Sequence, residues 1–450
     1  MENLVYISIG VLIFVSLIGV VWIYKYLTSA GDLDEAQSLI QKGHYKDAIV
    51  LLEKQLEKDE RDPNVNFLLA QAYEKLGDHS NAILYARRIL KFGRYNQNVN
   101  EIVVRTHLAH SLEKNGNFNE AKNEFLILTT IEPTNIEHFY NAGRLLYRAK
   151  LYQNSMNVLK QGLQLNSKHF PTLTTLGKAC FHLKFYTEAK NYLEKAKEIN
   201  PHDSENLYYL AQTLRYLGEF QKAIQYLDIV EKDSKLKSRA LLLKGIILID
   251  TESFSQGIME LEKASGMFPK GTQENLLTHY YIALAAEKLK NIEKALEHWE
   301  YIHSTQPDYK DVKAKLKQYS DFKTSDIIKD ILTSNRVQFE TLFRKIIEKL
   351  NYKALSLNVD SDSTITAVCS NYANPQYKTN SILIRLYREM KPVSESQVRE
   401  FHEAMKMENA YKGIYMCVSD FHPKAIEYCS NRPIDLYNAN SITKLFENKV

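Results

Sequence analysis

The hydrophobic pattern at the start of the chain differs from that of every later segment. Residues 4–24 form an uninterrupted run without a charged side chain. An α-helix rises about 1.5 Å per residue, so this run is about 30 Å long and matches the hydrocarbon thickness of a bilayer. The pattern predicts a single transmembrane helix. A cleaved signal peptide is the alternative, but no Lys or Arg precedes the run, which is longer than a typical signal-peptide core.

Aromatic and basic side chains follow this apolar run. Trp22, Tyr24 and Tyr26 have the composition of an interfacial aromatic belt, and Lys25 is the first positive side chain of the sequence. Positive residues flanking a membrane helix tend to stay in the cytoplasm. We therefore predict a single-pass membrane protein whose bulk lies in the cytoplasm.

The middle of the chain repeats a pattern of amphipathic helices at a regular interval. Small residues stand in pairs twelve positions apart, and the second members of successive pairs are mostly separated by about 34 residues. The pairs are Ala36/Ala48, Ala70/Ala82, Ala109/Ala121, Gly143/Ser155, Gly177/Ala189, Ala211/Ala223, Gly245/Gly257 and Ala283/Ala295. A bulky residue usually follows the second small residue by four positions. The pattern predicts about eight helix pairs and a closing helix over residues 31–322.

The spacing of small and bulky residues indicates how these helices pack. Two helices that cross at short distance need a small side chain on each at the contact, while the bulky residue one turn later fills the adjoining space. These residues resemble the tetratricopeptide repeat (TPR), as do the Leu69-Ala70 and Leu210-Ala211 steps of the first helices. The resemblance implies an α-solenoid of helix pairs, so the predicted fold class is mainly α.

In the TPR family the first helix of each pair lines the concave surface, so the resemblance implies which side chains are candidates for binding a partner. These candidates are Tyr140, Arg144, Tyr147, Arg148, Lys178, Phe181, His182, Tyr208, Arg215 and Tyr216. Aromatic and basic side chains together suit an acidic or aromatic peptide, through charge-assisted hydrogen bonds, stacking and burial. The alternative is an ordinary solvated helical face, since Lys and Arg are expected there and the chain contains 29 tyrosines.

After residue 322 the helical repeat stops and strands alternate with helices. Residues 326–350 are predicted as one helix, and Ser394 and Gln397 have the spacing of a capping box ahead of another. Apolar segments typical of strands lie at residues 354–357, 364–369, 382–387, 413–418 and 434–437. The pattern predicts a small α/β domain over residues 323–450, with helices packed on a sheet of three or four strands.

Several motifs of this C-terminal domain resemble the Mrr-type restriction endonuclease, a member of the PD-(D/E)xK nuclease fold. They are Phe339-Glu340, Lys391-Pro392-Val393-Ser394, Tyr411-Lys412-Gly413 and Ile434-Asp435-Leu436. The family cleaves phosphodiesters with an Asp after a turn and a Q/E-x-K on the next strand, which hold Mg²⁺ and activate water. At the matching positions this chain has Thr366, Arg385 and Tyr387. The resemblance therefore implies a nuclease shape with degenerate catalytic positions, and the domain is predicted to be inactive.

A shifted alignment would recruit other polar residues to these positions. Asp360, Asp362, Glu389 and Lys391 lie within a few residues of the matching positions. No such shift places the complete acidic and lysine pattern on one strand.

Composition and charge limit the remaining functions. The 450 residues are 44% hydrophobic and 25% charged with a net charge of +4, which excludes a wholly disordered, collagen-like or polytopic membrane protein. Four scattered cysteines form neither a disulfide framework nor a CxxC zinc site, and no nucleotide-binding, zinc-protease or serine-hydrolase motif is present. We therefore expect no cofactor, no metal and no enzymatic activity. Residues 328–450 carry 17 basic and 14 acidic side chains, a weak balance that argues against nucleic acid as a partner.

The order of the three parts adds a resemblance at the level of architecture. A membrane helix, a TPR array and a degenerate Mrr-like domain are similar to membrane TPR proteins of spirochaetes, some of which help to build the collar of the periplasmic flagellar motor. This resemblance implies a protein of the bacterial inner membrane. We predict a non-catalytic, membrane-tethered scaffold or adaptor that binds a peptide or a partner protein in the TPR groove.

Two alternative functions stay open at this point. One is a DNA-binding or DNA-cleaving effector that acts through the Mrr-like domain. The other is a TPR regulator of envelope assembly, although the rubredoxin-like CxxC…CxxC module of such regulators is absent from the sequence.

Overall fold

The computed structural model describes residues 15–17, 31–319, 325–371 and 381–447. The predicted membrane span, residues 4–24, lies outside the described residues except for positions 15–17. Among the residues described, no helix has both the length and the apolar character needed to cross a bilayer. The chain divides into two compact units, residues 1–230 and 231–450.

The described part of the first unit consists of helices joined by short turns. They are α1 (31–42), α2 (Tyr45–Leu56), α3 (Pro63–Leu76), α4 (His79–Phe92), α5 (Glu101–Lys114), α6 (Phe118–Ile131), α7 (Ile136–Arg148), α8 (Tyr152–Leu165), α9 (Phe170–His182), α10 (Tyr186–Ile199), α11 (Ser204–Tyr216) and α12 (Phe220–Val230). Polar caps start several of them, because the side chains of Asp62, Asn100 and Asp203 accept hydrogen bonds from backbone N–H groups of the first turn. From α2 to α12, each helix packs on the next one along the chain.

The second unit continues the helix pairs and ends in a sheet. Its first helices are α13 (Lys237–Asp250), α14 (Phe254–Ser265), α15 (Gln273–Lys288), α16 (Ile292–Thr305) and α17 (Val312–Gln318). Helix α13 packs on α14, α14 on α15, and α15 on α16. The mainly helical repeat architecture predicted from the regular spacing of small residues is therefore confirmed.

The small residues predicted at the helix crossings lie where paired helices touch. The Ser155 hydroxyl donates a hydrogen bond to the Gly143 carbonyl across α7 and α8, at 2.7 Å. A β-carbon placed on Gly177 would lie 2.5 Å from Cγ of Leu193, so that leucine occupies the space the glycine leaves. The regular spacing between the first small residue and the bulky one therefore reflects a packing contact.

In the C-terminal part of the second unit, the described residues form a five-stranded sheet with helices packed on it. The strands are β1 (Tyr352–Ser361), β2 (Thr364–Asn371), β3 (Ser381–Tyr387), β4 (Ala410–Cys417) and β5 (Ile434–Tyr437), and the helices are α18 (Asp326–Thr333), α19 (Arg336–Lys349), α20 (Glu395–Met407), α21 (Pro423–Cys429) and α22 (Ala439–Glu447). The strands lie in chain order; β1, β2 and β3 pair antiparallel, whereas β3, β4 and β5 pair parallel. The sheet has more strands than the three or four predicted, because all five apolar segments pair.

The helix predicted over residues 326–350 is interrupted, and that prediction is wrong in this respect. Residues Ser334 and Asn335 separate α18 from α19, and Asn335 forms a capping box with Gln338. The Arg388 guanidinium donates to the Ser334 carbonyl at 2.7 Å, and this bond satisfies a backbone group that a continuous helix would have bonded internally. The capping box predicted at Ser394 is confirmed.

One hydrophobic core joins the last helices of the array to the sheet within the second unit. Trp299 is fully buried and stacks on Tyr319, with ring centroids 5.5 Å apart. The same cluster of buried side chains continues through Ile328 and Phe339 to Ile365 on β2. Because they share this core, the end of the array and the sheet are packed as one body.

Candidate functional site

Aromatic side chains from three successive first helices of the array meet in the first unit. Tyr147 lies on α7, Phe181 and His182 end α9, and Tyr209 lies on α11. The Tyr147 hydroxyl is 3.3 Å from the Tyr209 hydroxyl and 3.0 Å from Nε2 of His182. The Phe181 and Tyr209 rings make an edge contact with centroids 6.0 Å apart. The structure thus brings together four rings from three helices, and the outer two of these rings, Tyr147 and Tyr209, are 62 positions apart in the sequence.

Two stacked ring pairs extend this group toward the second helices. The Tyr152 ring stacks on His182 with centroids 4.6 Å apart, and the Tyr186 ring stacks on Tyr216 at the same distance. Tyr216 is 56% exposed, so the stacked rings present a face to solvent. The aromatic cluster, as named below, consists of Tyr147, Tyr152, Phe181, His182, Tyr186, Tyr209 and Tyr216.

Reasoning from the sequence missed three members of the aromatic cluster. Tyr152 and Tyr186 are the first residues of α8 and α10, and Tyr209 lies beside the candidate Tyr208, whose ring it contacts edge-on at 6.0 Å. The signal for the first two was present, because an aromatic residue also begins the second helix at Tyr45. At this repeated position, the Tyr152 ring contacts Tyr147 and the Tyr186 ring contacts Phe181, both near the ends of first helices.

Carboxylates of the array already bind two of the predicted basic candidates. Arg144 donates two hydrogen bonds to Glu113 at 2.6 and 2.8 Å, and these bonds hold the pKa of Glu113 below its usual range. Lys178 Nζ lies 2.6 Å from a carboxylate oxygen of Glu205 and 5.3 Å from the Tyr209 ring centroid. The net positive charge beside the aromatic cluster is therefore smaller than the number of basic side chains suggests.

Three other candidates, Arg148, Arg215 and Tyr140, each contact an aromatic ring. The Arg148 guanidinium is 3.5 Å from the Phe118 ring centroid, and the Arg215 guanidinium is 5.7 Å from that of Tyr216. Tyr140 makes an edge contact with the His169 ring at 5.6 Å. These contacts hold the cations against ring faces, which orders their side chains.

Burial and hydrogen bonding fix the protonation state of Tyr147 at the centre of the aromatic cluster. Burial raises the pKa of Tyr147, and the hydrogen bond with Tyr209 raises this pKa further. The phenol therefore stays neutral and keeps its hydroxyl as a donor and acceptor. An aromatic surface with neutral hydroxyls can bury apolar parts of a peptide and exchange hydrogen bonds with its polar groups.

A second candidate site lies on the sheet of the second unit, at the positions that the sequence analysis predicts to correspond to the nuclease motif. Thr366 on β2 and Arg385 on β3 are register partners, and Nε of Arg385 donates to the Thr366 hydroxyl at 2.9 Å. The same guanidinium lies 3.2 Å from Glu400 and 3.9 Å from Asp360. Arg385 and these two carboxylates border a pocket of about 340 Å³ that Tyr415 also lines.

Tyr387, the third matching position, has a different partner. Its hydroxyl donates to Glu389 at 2.8 Å, and burial together with this bond raises the pKa of Tyr387 to about 12. Within the described ranges, no group of three His, Cys, Asp or Glu side chains has the arrangement needed to hold a metal ion. Of the three residues predicted to correspond to the nuclease motif, Arg385 lines the pocket, whereas Thr366 and Tyr387 do not.

Family models match separate parts of the chain. A restriction endonuclease model, Mrr_cat, matches residues 331–446, and a tetratricopeptide repeat model matches residues 170–203. The model for subunit 3 of the anaphase-promoting complex, or cyclosome, matches residues 41–126 and 189–264. No curated protein sequence matches the chain.

Solved structures of repeat proteins are similar to parts of this chain. YrrB, described as a TPR protein with an unusual peptide-binding site, is 19% identical and covers 43% of this chain and 97% of its own, with a TM-score of 0.37. The C-terminal part of a TPR protein from Cytophaga hutchinsonii is 16% identical and covers 63% of this chain and 99% of its own, with a TM-score of 0.40. By the family models, the chain carries tetratricopeptide repeats and, at its C-terminus, a restriction-endonuclease-like domain.

Proposed function

We propose that this protein is a non-catalytic adaptor that binds a peptide or a surface of a partner protein at the aromatic cluster of its TPR array. The observation that carries the proposal is the cluster itself, in which rings from α7, α9 and α11 meet and Tyr216 remains 56% exposed. Aromatic side chains dominate the binding energy of most protein interfaces, because they bury a large area at a small cost in conformational entropy.

The packing of the aromatic cluster supports a preformed binding surface. Hydrogen bonds of Tyr147 to Tyr209 and His182 hold rings of different helices in place before a partner binds. A surface that is ordered in advance loses less side-chain entropy on binding. The ion pairs of Arg144 and Lys178 leave the rings, rather than bare charge, as the main recognition element.

The proposal extends to the place of the protein in the cell. The apolar run at residues 4–24 supports a single membrane anchor, and Lys25 supports a cytoplasmic location for the bulk of the chain. We place the adaptor in a bacterial inner membrane, where it would assemble a membrane complex such as the spirochaete flagellar collar. The resemblance of architecture supports this placement; regulation of envelope assembly is the alternative.

Photo-crosslinking from the aromatic cluster tests the proposed binding site. Tyr216 is replaced by the photo-crosslinking amino acid p-benzoyl-phenylalanine in the full chain, and cells are irradiated. We expect defined crosslinked species that mass spectrometry identifies as one or a few partner proteins. Tyr95, which is 40% exposed in the loop between α4 and α5, carries the same amino acid as the control. Equal crosslinking from both positions would contradict a binding site at the aromatic cluster.

The restriction-endonuclease-like domain supports a second candidate function, cleavage or binding of DNA. Against cleavage, the pocket does not suit Mg²⁺, because its carboxylates Asp360 and Glu400 face the Arg385 guanidinium and a hydroxyl stands at Thr366. Mg²⁺ binds through one or two carboxylates and keeps several waters in octahedral geometry, and carboxylates that face a guanidinium are poorly placed to bind it. We therefore propose that this domain does not cleave DNA and serves as a structural or protein-binding module.

Incubation with supercoiled plasmid tests whether this domain cleaves DNA. The full chain in detergent micelles is mixed with plasmid and Mg²⁺ or Mn²⁺, beside an active restriction enzyme in the same buffer. We expect no nicked or linear product from the full chain and complete cleavage by the control enzyme. Metal-dependent cleavage that disappears in an Arg385→Ala variant would show that this domain is a nuclease after all.

A further inference from the structure

A cleft lies within the second unit between the end of the helical array and one edge of the sheet. Helices α15 and α17 form one wall, and the segments that follow β3 and β4 form the other. The cleft has a volume of about 870 Å³, which lies within the range of about 300–1,000 Å³ typical of ligand pockets. It opens at the carboxyl ends of two parallel strands, the edge at which sheets of this kind bind ligands.

Hydrogen bonds hold the two walls of this cleft in place. Gln318 on α17 donates from Nε2 to the Met390 carbonyl at 2.7 Å and so connects the walls. On the sheet side, the Ser419 hydroxyl donates to the Lys391 carbonyl at 2.6 Å. The cleft is therefore preformed, which lowers the entropy lost when a ligand binds.

Basic side chains outnumber acidic ones along the cleft. Lys288, Lys317 and Lys391 are exposed, and none of them forms an ion pair with a residue that the structure describes. The fourth lysine, Lys315, donates to both oxygens of Glu287 at 2.8 Å, so this pair contributes little net charge. The three remaining ammonium groups share the lining with one further carboxylate and favour a ligand with negative charge.

The other lining residues distinguish between two classes of anionic ligand. Leu284, Met390 and Pro392 give the cleft apolar surface beside the lysines. None of the described lining residues is aromatic, so these residues offer no ring face on which nucleic-acid bases could stack. The further carboxylate, that of Asp420, would also repel a continuous phosphate backbone. A peptide in which carboxylate and aliphatic side chains alternate matches this lining better than a nucleic acid does.

From this lining we infer that the cleft binds an acidic peptide segment of a partner protein. Carboxylates of this peptide pair with Lys288, Lys317 and Lys391, and one of its aliphatic side chains packs against Leu284 and Met390. The site is separate from the aromatic cluster, which belongs to the other unit. The inference does not depend on that cluster binding a partner.

A labelled peptide tests the cleft in the full chain held in detergent micelles. The probe is fluorescein-labelled Glu-Asp-Leu-Glu-Asp-Leu, and its affinity is measured by fluorescence anisotropy at low and at physiological salt. The triple variant Lys288→Glu, Lys317→Glu and Lys391→Glu is expected to weaken binding roughly tenfold or more, because three attractive charges become repulsive. The affinity of the unaltered chain is expected to fall as salt rises.

Matched controls separate the cleft from charge in general. The triple variant Lys290→Glu, Lys313→Glu and Lys424→Glu makes the same charge change at exposed positions that do not line the cleft, and at physiological salt it is expected to weaken binding clearly less than the cleft variant does. Circular dichroism confirms that both variants are folded. Absence of probe binding, equal losses in both variants, or preferential binding of single-stranded oligothymidine at the three cleft lysines would each overturn the inference.

Discussion

Replacing Phe181 and Tyr216 together by alanine is expected to weaken binding of the crosslinked partner about 100-fold or more. Central aromatic residues of an interface typically contribute about 2 kcal/mol or more each, and each step of about 1.4 kcal/mol corresponds to about tenfold in affinity. Phe181 contacts the rings of His182, Tyr186, Tyr209 and Tyr216, so its loss removes support from the whole surface. Titration calorimetry with the purified partner measures the change.

A matched pair of substitutions shows whether the loss is local. Tyr95→Ala with Ile131→Ala removes two large exposed side chains elsewhere in the first unit and is expected to leave the affinity within about twofold. Because Phe181 is half-buried, thermal melting of both variants establishes that they remain folded. A folded Phe181→Ala, Tyr216→Ala variant with unchanged affinity would remove the aromatic cluster from the proposed function.

The helical architecture was predictable because its packing rule is local and repeats. Each helix pair needs small residues at its crossing and a bulky residue one turn later, and the regular period repeats that requirement along the chain. The contact between Gly177 and Leu193 is one example, since the glycine has no space for a β-carbon. A rule that depends on close contact leaves a clear trace in the sequence.

The charge at the candidate site was less predictable, because it depends on contacts between repeats. Arg144 meets Glu113 from the preceding pair, and Lys178 meets Glu205 from the following one. The side chains of each pair lie about one repeat apart, so the sequence around either cation gives no sign of its partner. The aromatic cluster was found in part, because first-helix positions such as Phe181 were candidates whereas second-helix positions such as Tyr186 were not.

A long-range contact stabilises the helix break that our prediction missed, although Asn335 and Gln338 already have capping-box spacing in the sequence. The apolar pattern of residues 326–350 continues through Ser334, yet the helix stops there. Arg388 reaches this point from the end of β3 and is 6% exposed, and it also donates to the Asp362 carbonyl at 2.6 Å. A buried guanidinium that binds backbone carbonyls on two segments fixes both, and only the folded sheet brings it there.

Substituting Gly245 by valine is expected to destabilise the second unit by about 3 kcal/mol, because overpacking of a close contact costs about 1–3 kcal/mol and a β-branched side chain is also restricted in a helix. A β-carbon at Gly245 would lie 2.5 Å from Cγ of Leu261 and 3.1 Å from the Gly257 carbonyl oxygen, so both a core side chain and the backbone of α14 must move. For a unit of this size the loss corresponds to a decrease in melting temperature of roughly 6–12 °C, measured by circular dichroism of the full chain in micelles.

Gly266, at the end of the same helix pair, provides the control for this substitution. Apart from its neighbours along the chain, no atom lies within 4 Å of the position of its β-carbon, so Gly266→Val is expected to change stability by less than about 0.5 kcal/mol. Leu261→Ala removes the side chain that meets the new valine, and the double variant is expected to be more stable than the sum of the single losses by about 1 kcal/mol or more. If the stability losses of Gly245→Val and Leu261→Ala were additive, or if Gly245→Val and Gly266→Val had equal effects on stability, the close approach of α13 and α14 would not be the reason for a small residue at position 245.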